Sequence, residues 1–215
     1  GTWRLGQETT EPGPVLGIVQ GVFPIYLHEP IEGRGDVVGE YIRLSEEAFE
    51  DTPPELVVWP ESSLPGGMNR EALELDRDGA LVYPLDLWGR AKKVAALSAR
   101  LGCPILAGGA TWHFAEAAQA GLEQFIVRNS AMVFEAAPLS AWRYSKVKLV
   151  PFGEYVPFRD GWPGLHAWLR GFVPDVMAQM QPGKDSKRYE LNAGGRTWRP
   201  ADPATCSAPP TAGSP

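Results

Sequence analysis

Apolar residues in this chain come in short blocks separated by prolines and glycines. Residues 15–23 (VLGIVQGVF) are rich in β-branched side chains and closed by Pro24, which predicts a buried strand. Over 36–49 the spacing changes to helical, with Val38, Tyr41, Ile42 and Phe49 on one face. Pro53 and Pro54 end that helix. A second short strand is expected at 56–59, followed by an irregular loop over 62–84. Asp86 is placed to cap the next helix, whose stripe runs through Leu87, Ala91, Val94, Ala95 and Leu101 and stops at Gly102. Strands are then expected at 104–107, 125–134 and 142–150. Strand and helix alternate before a run of strands, which predicts an α/β domain built on an internal sheet.

Two stretches depart from this order. Residues 162–172 (WPGLHAWLRGF) set Leu165, Trp168, Leu169 and Phe172 at helical spacing beside Trp162. They read either as a short helix packed on the core or as an amphipathic arm on a membrane surface, where tryptophan suits the interface. Residues 199–215 (RPADPATCSAPPTAGSP) follow neither period and read as a disordered tail.

The 215 residues suffice for one domain with a sizeable core. The formal charge of −6 comes without a basic stripe, so no nucleic-acid partner is expected. No run approaches the roughly 18 apolar residues of a membrane span. Cys103 and Cys206 are too few for a disulfide framework. His28, His113 and His166 are isolated, so no metal site is expected. No serine-hydrolase elbow or phosphate loop is present, and 33–39 (GRGDVVG) misses the dinucleotide spacing, so no cofactor is expected.

Candidate chemistry lies in two segments. In 56–65 (LVVWPESSLP) an apolar strand delivers Glu61 at its end, where α/β domains place working residues. Apolar walls and Trp59 around that acid would suit a general base; the competing reading is an acid capping the turn at Ser62 and Ser63. In 144–158 (YSKVKLVPFGEYVPF) alternation puts Lys146, Tyr144 and Lys148 on one strand face. Lys146 there either steadies a developing oxyanion or is a solvated lysine. Glu154 sits in a turn stiffened by Pro151, Gly153 and Pro157, as a working acid or as half of a structural salt bridge.

With VQG near Gln20 and RNSAMVF around Asn129, these segments resemble the apolipoprotein N-acyltransferase family of the nitrilase (carbon–nitrogen hydrolase) superfamily. LVPFGEYVP is the most specific of the matching pieces. The resemblance covers residues 1–198 and implies an α-β-β-α sandwich, here C-terminally incomplete. It divides the chain into a linker over 1–14 that follows a membrane segment, a partial nitrilase-like domain over 15–198, and the tail. It implies a Glu–Lys–Cys triad in which Glu61 is the general base and Lys146 the lysine, with Glu154 a further acid. Lys148 departs from the family, many of whose members have histidine there.

The reaction implied is transfer of a fatty acyl group from a phospholipid, through a cysteine thioester, to the N-terminal amine of a lipid-modified apolipoprotein. The implied setting is a bacterial inner membrane with the domain facing the periplasm, touched through Trp162, Leu165, Trp168, Leu169 and Phe172. The family's Cys-aromatic-Glu nucleophile segment has no counterpart here. Cys206 lies in a proline-rich tail, and Cys103 precedes a strand as a packing cysteine. The chain alone is therefore expected to be inactive. Two other functions remain open: a soluble nitrilase-like amidase, and a non-catalytic lipid- or lipopeptide-binding module.

Overall fold

A computed structural model describes residues 12–22, 36–81, 86–114, 125–158, 161–171, 180–184, 189–193 and 196–198. The tail with Cys206, Phe172 and most of the expected linker lie outside these residues.

Five strands form one mixed sheet: β1 (Leu16–Ile18), β2 (Leu56–Val58), β3 (Ile105–Phe114), β4 (Phe125–Phe134) and β5 (Trp142–Ser145), in that spatial order. β1, β2 and β3 run parallel; β4 and β5 return antiparallel. The parallel neighbours are joined by helical crossovers, α1 (Val37–Phe49) between β1 and β2, and α2 (Arg70–Arg77) with α3 (Leu87–Leu101) between β2 and β3. This is the α/β arrangement expected from the sequence. Among the described residues no helix is long and apolar enough to cross a membrane.

The helices cover one sheet face. Val38 and Tyr41 from α1, Leu73 from α2, and Leu87, Ala91, Val94 and Leu97 from α3 pack on Val57, Ile105, Met132 and Phe134. Trp59 stacks on Tyr41 with ring centroids 5.3 Å apart, and its indole N–H donates to Ser45 Oγ at 3.0 Å. That bond satisfies a buried donor and fixes α1 against the end of β2. On the opposite face Leu56 and Leu191 are buried together, flanked by Val58, Leu106, Tyr189 and Trp198. Leu191 belongs to a hairpin of β6 (Leu191–Ala193) and β7 (Arg196–Trp198).

The helix ends follow local chemistry. Asp36 caps α1 by accepting from the Gly39 N–H at 3.1 Å. Gly102 closes α3 in the left-handed conformation, as expected. Asp86 does occupy the position before α3, yet its side chain makes no capping bond. The carboxylate of Asp76 accepts from the Trp88 N–H instead, at 2.8 Å. Asp76 belongs to α2, which falls inside the loop expected over 62–84. The sequence REALELDR is too charged and too short to show a stripe; only Ala72 and Leu73 are buried.

Strand lengths differ from expectation in both directions. β3 continues seven residues past the expected end at Ala107, straight through Gly108 and Gly109. β5 stops at Ser145 rather than Val150. The first strand shrinks to three residues. α4 (Pro163–Arg170) buries no residue, and Trp162 and Trp168 are 67% and 62% exposed. The reading of this segment as a helix packed on the core is therefore corrected.

Candidate active site

Beyond β2 the chain does not leave the sheet. Pro60 O accepts from Gly108 N–H, Leu64 N–H donates to Gly108 O at 2.9 Å, and Gly67 N–H donates to Ala110 O at 2.9 Å. The Asn69 side chain ends this run as a surrogate strand residue. Its amide donates to Trp112 O at 2.7 Å and its oxygen accepts from Trp112 N–H at 2.8 Å. The loop lies so close to β3 that a Cβ on Gly108 would stand 2.7 Å from Glu61 Cα and 2.9 Å from Pro60 O. Both obstacles are backbone, so they cannot swing away. Gly108→Ala is expected to displace Glu61 and to cost about 1–3 kcal/mol, read from urea unfolding and from faster amide exchange over 60–64. Unchanged stability and exchange would refute this close-approach role.

Glu61 emerges from that loop with its side chain 63% exposed, next to Ser62 in the left-handed conformation. This corrects the expectation of apolar walls: β2 ends at Val58, and the turn from Pro60 to Ser63 sends Glu61 to solvent while Trp59 stays in the core. Lys146 follows the last residue of β5. Its N–H donates to Asn129 O on β4, and its carbonyl accepts from Gly183 N–H, both at 2.8 Å. The lysine backbone is thus held from both sides. Lys148 is exposed, because the strand has ended before it and alternation no longer applies.

Glu154 is 8% exposed. Its turn is closed by Glu154 N–H to Val150 O at 2.9 Å and Phe152 N–H to Tyr155 O at 2.8 Å. The left-handed position falls on Phe152 rather than on the neighbouring Gly153. One carboxylate oxygen accepts from Val150 N–H at 2.7 Å. The other accepts from Lys146 Nζ at 2.9 Å and from Asn129 Nδ2 at 2.6 Å.

Asn129 is the hub of this arrangement. Its Nδ2 also donates to Glu61 Oε1. An amide nitrogen carries two hydrogens, so each carboxylate receives one. Lys146 Nζ lies 3.8 Å from the same Glu61 oxygen. Glu61 and Glu154 therefore meet on one side chain of β4, and Lys146 Nζ reaches the same two carboxylates. Sequence reasoning placed Asn129 only inside a matching motif and gave it no role. The available signal was an amide in the middle of FIVRNSAMVF, a poor strand former in an otherwise favourable run.

Burial raises the Glu154 pKa, but the Asn129 amide, the Val150 N–H and the Lys146 ammonium outweigh it and hold the carboxyl below its ordinary range. A depressed folded value means a contribution to stability that is complete above the unfolded-state value. It is lost as pH falls through the folded value. The stability difference between wild type and Glu154→Gln is expected to shrink steadily as pH drops from neutral through the carboxylate range. A difference independent of pH in equilibrium unfolding would contradict it.

Cys103 is 6% exposed in the helix-side core, as expected of a packing cysteine. Burial pushes its thiol up, with the Val57 N–H only partly opposing. Such a thiol is a poor nucleophile. No group of three or more histidine, cysteine or acidic side chains able to hold a metal occurs among the described residues.

No protein-family model matches the chain, and no curated protein sequence matches it. Similar solved structures include a carbon–nitrogen hydrolase from Helicobacter pylori G27, at 16% identity and TM-score 0.42, over 86% of this chain and 49% of that one. A mutant amidase of the nitrilase superfamily from Nesterenkonia AN1 is similar at 15% identity and TM-score 0.45, over 87% and 56%. Saccharomyces cerevisiae Nit3, of branch 10 of the nitrilase superfamily, is similar at 14% identity and TM-score 0.38, over 73% and 45%. The chain spans about half the length of these structures. At these identities the likeness assigns no residue a role.

Proposed function

We propose that this chain carries the glutamate–lysine part of a nitrilase-type acyl-transfer site, and that its reaction is apolipoprotein N-acylation. The observation that carries this reading is the meeting of Glu61 and Glu154 on Asn129, with Lys146 Nζ against both acids. The LVPFGEYVP resemblance supports the acyltransferase branch over the amidases, as do the exposed aromatic side chains beside Glu154.

In this reading a cysteine thiol adds to the ester carbonyl carbon of a phospholipid, and Glu61 takes the thiol proton. The lysophospholipid leaves as an alcohol, taking that proton from Glu61, and a thioester remains. The N-terminal amine of the lipid-modified acceptor attacks the thioester carbon. Glu61 takes the amine proton and returns it to the departing thiolate. Lys146 faces the oxyanion of both tetrahedral intermediates, and Glu154 keeps its ammonium aimed. Glu61 is accessible enough to meet both substrates.

Two measurements test this. Incubated with phospholipid, the chain itself is expected to gain no acyl mass, because its described cysteine is buried. Joined to a segment with an apolar strand and a Cys-aromatic-Glu triplet, it is expected to gain one hydroxylamine-sensitive acyl group. Glu61→Gln should slow that step at least about a hundredfold. Hydrolysis of small amides without lipid, and no acyl-enzyme, would overturn the acyltransferase reading in favour of an amidase.

A further inference from the structure

Strand alternation puts Asn129 and Lys146 on one sheet face and Arg128, Ser130 and Ser145 on the other. On that second face, beyond the helix-covered core, lies a polar corner that the acyl-transfer reading does not use. Thr111 Oγ1 and Ser130 Oγ are 2.9 Å apart, and Ser130 Oγ and Ser145 Oγ are 3.0 Å apart. Thr111 Oγ1 also lies 3.3 Å from His113 Nε2, and His113 Nδ1 lies 2.9 Å from Glu71 Oε2. Arg128 and Arg143 both act electrostatically on the His113 ring.

Among the described residues the charges acting on His113 do not balance: Glu71 from α2 is the one carboxylate, against two guanidinium groups from β4 and β5. Neither arginine makes a salt bridge among the described residues, and Arg128 Nε is buried with no acceptor. A buried charged donor without an acceptor is a rare and unfavourable arrangement. Two arginine forks beside a histidine and a chain of hydroxyls are what tetrahedral oxyanions bind, because each fork can donate two parallel N–H bonds.

We propose that Arg128, Arg143 and His113, with the Thr111–Ser130–Ser145 hydroxyl chain beneath them, form a binding site for a phosphate-type oxyanion. The oxyanion is either free phosphate or the phosphate of a lipid headgroup. Burial, and then the charges of Arg143 and Arg128, hold His113 below its ordinary value against the pull of Glu71. An anion bound there adds negative charge, so His113 gains a proton more readily and binding tightens as pH falls.

Calorimetric titration of the 215-residue chain with inorganic phosphate, and separately with a short-chain phospholipid below its micellar concentration, tests the site. Saturable one-to-one binding is expected with at least one of them. It should weaken at least about tenfold in the Arg128→Gln, Arg143→Gln double variant and stay unchanged in Lys148→Gln. Binding of phosphate identifies a free-anion site; binding of the lipid alone identifies a headgroup site. If the double variant fails to fold, the His113 imidazole signals of the wild type decide the matter, with an upward shift in titration midpoint expected on saturation. No binding of either probe, or binding that leaves His113 unmoved, overturns the proposal. Acyl transfer by the extended chain is a separate readout, so failure here leaves the acyl-transfer reading standing.

Discussion

Asn129→Asp is expected to destabilise the protein by about 2 kcal/mol near neutral pH, more than Asn129→Ala does. The wild-type amide gives one hydrogen to Glu61 and one to Glu154. Aspartate removes both donors and adds a third carboxylate to a site whose nearest cation is Lys146. Most of the loss belongs to Glu154, which is 8% exposed and cannot turn to water. Glu61 is largely solvated and contributes less. Alanine removes the donors without adding charge, and Lys146 and the Val150 N–H still satisfy Glu154. The extra penalty of aspartate should fade as pH falls and the carboxylates take up protons. Urea unfolding of both variants at neutral and acid pH measures this. Equal stability of the two at neutral pH would mean that Asn129 does not join the two acids.

Much of the framework was legible because it rests on local rules. The α1 and α3 stripes, the Gly102 stop and the β4 strand follow from periodicity and capping alone. Glu61 and Glu154 were legible as acids delivered by a strand end and a stiff turn, and Lys146 as a lysine on a strand face. What was not legible depends on contacts between distant segments. α2 shows no stripe, because only two of its residues are buried. Gly108 and Gly109 look like the end of a strand, yet they lie inside β3 because the loop after β2 needs their missing side chains. Asp76 caps a helix it does not belong to. Asn129 is an unfavourable residue for its strand, and its reason appears only when the loop and the turn fold over it.

Replacing Phe152 and Phe158 with glycine is expected to weaken adsorption to anionic phospholipid vesicles at least about a hundredfold while leaving stability unchanged or slightly higher. Both residues have φ in the left-handed region, 62° and 71°, which costs a side-chain-bearing residue roughly 1–2 kcal/mol. Both are nonetheless about half exposed, at 51% and 50%. Core packing therefore does not explain phenylalanine at either position, and glycine relieves the strain. Val150, Trp162 and Trp168 are likewise more than half exposed, and the Phe158 and Trp162 rings lie 6.5 Å apart. His166 Nδ1 lies 3.1 Å from Pro157 O, which joins α4 to the segment that carries Glu154. A lipid surface that accepts the two rings gains about 1.5–3 kcal/mol from each, which sets the size of the expected loss. The substitutions Phe152→Asn and Phe158→Asn separate ring from backbone, because asparagine tolerates the left-handed region and lacks the ring. They should lose vesicle binding as the glycines do. A double glycine variant that binds vesicles like wild type, or that unfolds more easily, would show that the rings serve packing. The strain at Phe152 would then need a cause other than lipid.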